Sequence, residues 1–206
     1  MTSTTPNFGD VLAVGRALDL RLPDSRTVAD AYARARDASE PSLFHHVVRS
    51  WLYAAALARA RSLAPDAELL AVATLLHDLG LARAFAVQHG MGGRRSEVVW
   101  DAIALHTTPS IGRFKGVDVA CCQSGIGCDY GGLGYPELSG REQDVILAAY
   151  PRLGMKAALT TCLCGIATHH PETTRDNFIA EFGERYVPGY RRPSLVDFLL
   201  HAPFAE

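Results

Sequence analysis

The chain has 206 residues, 48% of them hydrophobic and 20% charged, with a formal net charge of −2. This is ordinary globular composition, and the lack of any basic block argues against a nucleic-acid partner. The opening MTSTTPNFGD has neither the charged start nor the apolar core of a secretory signal. No stretch reaches the roughly 20 apolar residues that a membrane span needs.

The five cysteines, Cys121, Cys122, Cys128, Cys162 and Cys164, are odd in number and lack paired C-x-x-C spacing. They read as reduced core thiols of a cytoplasmic protein.

Residues 1–24 read as an N-terminal arm with one short helical piece, and residues 25–206 as a single helical domain. Ser25 or Asp24 can cap a helix running to about Ala38. Pro41 sits in the first turn of the next helix, SLFHHVVRSWLYAAALARARS, where a missing N–H costs little. In that helix His46, Ser50, Tyr53 and Leu57 share one stripe, with Arg49 close by.

Asp66 is a good cap for the stretch that organises the chain, LLAVATLLHDLG over Leu69–Gly80. A helix apolar on every side is buried. Gly80 can stop it in the left-handed conformation. The last turn then carries His77 and Asp78 inward, and a buried ionisable pair is costly unless paired or metal-bound.

The segment LARAFAVQHGMGGRRSE reads as a mobile loop. Ser96 caps a helix to about His106, and a turn surrounds Pro109. A helix over about Gly116–Ser124 is expected to lead into a glycine-rich loop, GIGCDYGGLGYP, that holds Asp129. Ser139 with Glu142 forms a capping box for a helix ending before Pro151. Further helices end at His169 and His170, run from Thr173 and Asp176 to about Tyr186, and follow Pro193. No segment alternates with period two. The fold class is therefore all-α, a compact bundle of about seven to nine helices.

His46, His77, Asp78 and Asp129 are donors that suit Zn²⁺, Fe or Mn²⁺. One helix, one helix end and one loop bring them from three parts of the chain. Four such ligands leave coordination positions open for water and substrate. A His–Asp doublet alone is equally a hydrogen-bonded core pair.

The motifs FHHVVRSWLYA, LLHDLG, WDAIALHTTPSIG and GCDYGG, in this order, resemble the HD-domain superfamily of metal-dependent phosphohydrolases. The chain is most similar to that superfamily's cyanamide hydratase-like branch, and the tail PETTRDNFIAEFGERYVPGY is also similar. The resemblance places His46, not His45, as the first ligand, with Phe44 and Arg49 fixing the register. It makes His77 and Asp78 the doublet and Asp129 the last ligand. It adds His106 as a catalytic group beside Asp78, and Arg49 as a brace for a ligand carboxylate.

The resemblance implies one divalent ion, Zn²⁺ first and Fe or Mn²⁺ otherwise, and a small-molecule substrate. It leaves homo-oligomers open and implies no nucleic acid or membrane partner. Water activated by the ion would add to a nitrile carbon while His106 supplies a proton to the nitrogen. Two other readings stand beside this one. Phosphomonoester hydrolysis would use Arg83, Arg94, Arg95 and Lys115 to hold phosphate. A metal-binding protein with impaired catalysis would explain why the R-F-E-x-x-G-A-x-A-A segment of the branch is shortened after Gly80.

Overall fold

The computed structural model describes residues 6–204 apart from residues 81, 176 and 193. The described residues form twelve α-helices and three 3₁₀ turns, with no strand among them. The all-α class therefore holds. The number of helices exceeds seven to nine because three short pieces, α5 (Ala82–Gln88), α7 (Pro109–Gly112) and α12 (Leu195–Leu200), are separate elements.

The chain divides into two compact units, Met1–Leu153 and Gly154–Glu206. In the first unit the helical piece expected within residues 1–24 is present. Asn7 and Asp10 form a reciprocal capping box for α1 (Phe8–Ala17), and Val11 and Leu12 are buried. Ser25 caps α2 (Arg26–Ala38) as its sequence suggests.

The core is built on α3 (Pro41–Ala60), which buries residues on every side, including Phe44, Trp51, Leu52 and Leu57. Against it lies α4 (Ala67–Leu76), capped by Asp66 and buried from Leu69 onward. The helix then tightens into a 3₁₀ turn over His77–Leu79, closed by Gly80 at φ 66°. A 3₁₀ ending changes the angular step between neighbours, so His77 and Asp78 can both face one point.

Two stretches differ from their sequence reading. ARAFAVQ is helical as α5, with Ala82 and Ala86 buried; its alanine-rich core outweighs the glycines, which begin only at Gly90. The helix before Asp129 does not stop at Ser124. Helix α8 runs unbroken over Val117–Gly131 and ends on Gly132 at φ 78°. Gly125 serves packing here, because a Cβ at that position would lie 2.2 Å from the Ser50 carbonyl oxygen. Asp129 is therefore a buried helical residue, and its place on a rigid helix follows from that close approach to α3.

Helix α6 (Arg94–Ala104) starts after Gly93, and Ser96 lies inside its first turn, where its hydroxyl donates to the Gly93 carbonyl. Helix α9 (Gly140–Ala149) carries the expected Ser139–Glu142 capping box. Trp51 and Tyr53 are core residues, whereas Trp100 is exposed.

The second unit holds α10 (Met155–His169), a 3₁₀ turn over Pro171–Thr174, α11 (Ile179–Tyr186) and α12. Gly183 is covered by the Tyr190 ring, whose hydroxyl pairs with Thr174 Oγ1 at 2.5 Å. The expected helix starts at Asp176 and Pro193 fall on positions outside the described residues. No helix among the described residues is long and apolar enough to cross a membrane.

Candidate metal centre

Three imidazoles converge in the first unit from three elements. His46 comes from α3, His77 from the 3₁₀ turn after α4, and His106 from the end of α6. The His46 and His77 ring centroids are 5.1 Å apart, and those of His77 and His106 are 5.0 Å apart.

Each ring is held by its Nδ1. His46 Nδ1 donates to Asp129 Oδ2 at 2.6 Å, His77 Nδ1 to the Thr74 carbonyl at 2.9 Å, and His106 Nδ1 to the Ile103 carbonyl at 2.6 Å. All three partners only accept, so the proton stays on Nδ1 and each Nε2 keeps its lone pair. This is the arrangement that orients metal-binding histidines in general.

His77 Nε2 lies 3.3 Å from Asp78 Oδ1. One donor atom from each of His46, His77 and Asp78 falls within 4.8 Å of the other two. His46 and His77 are buried, while the Asp78 side chain is 35% exposed and forms the open side of the group.

Charge reinforces this geometry. Burial pushes the His77 imidazolium down to about 4 against the pull of Asp78, with His46 and His106 adding to the fall. His77 is therefore neutral and a competent donor at pH 7. Burial alone would raise the Asp78 carboxyl, but His77, His46 and His106 outweigh it and hold it below its usual value.

Asp129, expected as the fourth ligand, is bonded to His46 and falls outside the group of three donors. Its Oδ1 accepts from Arg49 Nε at 2.6 Å and Arg152 Nη1 at 3.1 Å. Its Oδ2 accepts from His46 Nδ1 at 2.6 Å and Arg49 Nη2 at 2.9 Å. A carboxylate offers about four lone-pair sites, and four N–H groups occupy them. Burial would raise this carboxyl too, yet the bonds from His46 and Arg49 keep it low and ionised. Arg49 thus braces Asp129, and Asp129 braces His46. His106 borders the group through His77 without joining the three donors.

Two contributors carried no sequence signal. Arg152 follows a helix-ending proline and reaches Asp129 only through the fold. Gln123, on α8, donates its amide to the Leu105 carbonyl at 2.5 Å and the Thr108 carbonyl at 3.1 Å. These two carbonyls flank His106 in the chain, so Gln123 fixes the segment that carries it. The neighbouring His45 turns the other way, with Nδ1 on the Pro151 carbonyl. His89 packs on Phe85 and pairs with Asp30. The buried thiols of Cys121, Cys122 and Cys128 are pushed up by desolvation, which leaves them protonated and unreactive.

Residues 43–149 match the family model of the HD domain. That is more than half of the chain. The chain belongs to the HD-domain family. The matched region takes in His46, the His77–Asp78 doublet, His106 and Asp129 together. HD-domain proteins are typically metal-dependent hydrolases, and the group of His46, His77 and Asp78 has the donor chemistry for a divalent ion. A search of curated proteins finds no match.

Proposed function

We propose that this HD-domain protein uses one divalent ion, zinc by preference and iron or manganese otherwise, to hydrate a small neutral nitrile in the manner of the cyanamide hydratase-like branch. His46, His77 and Asp78 would hold the ion. When bound, it makes water nucleophilic near neutral pH.

The chain's own groups do the remaining work. Asp78, partly exposed at the open side, orients the water. His106 has its Nδ1 fixed on the Ile103 carbonyl, so its Nε2 is the atom that takes a proton from the attacking water and passes it to the nitrile nitrogen. Asp129 and Arg49 keep the His46 ring aimed.

The observation that carries the choice of substrate is the state of the surrounding cations. A phosphomonoester needs positive charge to hold it. Arg83 pairs with Glu97, Arg95 with Asp66 and Glu68, and Lys115 with Asp101. Arg49 and Arg152 are committed to Asp129. Arg94, the remaining candidate, is an exposed residue at the start of α6. A neutral substrate fits this balance better than a phosphate dianion.

The test is product analysis on metal-loaded protein. Urea from cyanamide, with no phosphate from nucleoside monophosphates, supports the proposal. Phosphate without urea would replace it with phosphohydrolysis. Neither product across nitrile and phosphate panels would leave a metal-binding protein without turnover.

A further inference from the structure

His45 and His46 are neighbours in α3, yet their rings serve different places. Successive side chains on a helix diverge by about 100°. His46 enters the metal centre. His45 lines a separate cleft of about 800 Å³ whose walls include Pro6, Pro41, Phe44, Ala149 and Pro151. That volume lies within the range of ligand pockets, about 300–1,000 Å³.

Arg36, Ser39 and His45 line it among apolar residues, and His45 is the buried one of the three, at 7% exposure. Its ring is fixed edge-on against Tyr150, with centroids 5.5 Å apart. Its Nδ1 donates to the Pro151 carbonyl at 2.9 Å. In the neutral ring Nε2 is then an acceptor, and it has no hydrogen-bond partner among the described residues.

The carbonyl that holds His45 does not serve it alone. Pro151 also accepts from Arg49 Nη1 at 3.0 Å. Arg49 grips Asp129, and Asp129 accepts from His46. One hydrogen-bonded line thus runs from the cleft to the imidazole of the metal centre, through His45, the Pro151 carbonyl, Arg49, Asp129 and His46. Two donors share one acceptor at the Pro151 carbonyl and again at Asp129, so a change in one bond alters the strength of its neighbour.

We propose that the His45 cleft is a second small-molecule site, for a neutral compound with an apolar body and one hydroxyl donated to His45 Nε2, and that its occupancy is felt at His46. The binding half stands apart from the metal reading, since it needs no ion.

The experiment uses the full chain with ¹⁵N-labelled histidine, with zinc added or withheld, and benzyl alcohol as the probe. Saturable movement of the His45 Nε2 resonance is expected, accompanied by a smaller shift at His46 Nδ1. Toluene, which lacks the hydroxyl, should bind roughly five- to tenfold more weakly, the cost of one hydrogen bond. His45→Phe should abolish the accompanying shift at His46 Nδ1. Ala148→Trp, at the exposed rim of the same cleft, should block it without disturbing the core. No saturable shift, equal binding of toluene, or full binding to Ala148→Trp would overturn the site. Binding that leaves His46 unmoved would overturn the coupling. Neither result bears on whether zinc is held at His77 and Asp78, which metal analysis reads separately.

Discussion

Buried charge at His77 sets a pH dependence that can be worked out in sign. Its imidazolium is destabilised in the fold, from an ordinary 6.5 to about 4. As pH falls through 6.5 the unfolded chain takes a proton that the folded chain refuses. Stability is therefore complete above about pH 6.5 and declines between there and pH 4. His45, also lowered by burial, adds to the same slope. Asp78 and Asp129, held low, lose their contributions at still more acid pH. Urea midpoints of metal-free protein at pH 7.5, 6 and 5 should fall in that order. His77→Phe should flatten part of the decline, and an unchanged slope would contradict the burial of a neutral ring. Arg49 and Asp129 are both fully buried. Removing one partner of a buried ion pair costs about 3–5 kcal/mol, while replacing both by apolar groups is often far milder. Arg49→Met should thus lose roughly that much in urea unfolding, and adding Asp129→Leu should recover part of it. A double variant worse than the single one would show that the pair is not the source of the cost.

At the scale of elements, the crossing of α3 and α8 decides where Asp129 stands. Gly125 lets the two backbones meet, since a Cβ there would press on Ser50 O and on the Ala54 side chain, the latter at 2.5 Å. Gly125→Ala should force the helices apart at a cost of about 1–3 kcal/mol, and should lengthen the reach from Asp129 to His46. The second effect is the diagnostic one, because the His46 Nδ1 proton should then lose its protection from exchange with solvent. A stability loss with full protection retained would mean that α8 accommodates the methyl elsewhere. This crossing also explains what the sequence shows and what it conceals. Capping residues and apolar periodicity are local, so Ser25, Asp66 and the Ser139–Glu142 box mark their helices correctly. The doublet at the end of an all-apolar helix is just as local. Gly125 looks like a loop glycine because the reason for it lies on another helix, α3. Asp129 looks like a ligand because its carboxylate must reach the site, while the four N–H groups that occupy it come from α3 and from Arg152. Arg152 and Gln123 act through carbonyls and a carboxylate distant in sequence, and no pattern in the chain announces them.

At the scale of the whole chain, the HD match ends within the first unit, and every donor of the proposed centre lies there. A ligand that binds only the folded state stabilises it by mass action, by about 2.7 kcal/mol at one hundred times its dissociation constant. For a chain of this size each kcal/mol moves a melting midpoint by about 2–4 °C, so zinc at that excess should raise the midpoint of the metal-binding unit by roughly 5–11 °C. Chelation should reverse the shift. His77→Ala and Asp78→Ala each remove a donor and should show almost none of it, with metal content falling to match. His106→Ala should keep most of the shift while losing turnover, because His106 stands beside the three donors without being one of them. Asp129→Asn should bind zinc about 10–100-fold more weakly, the usual cost of losing an outer partner, and still show the shift once zinc is raised to compensate. Loss of the shift in Asp129→Asn at every zinc concentration would instead make Asp129 a direct ligand. A midpoint in the unaltered protein that ignores zinc, iron and manganese alike would remove the ion from this site altogether.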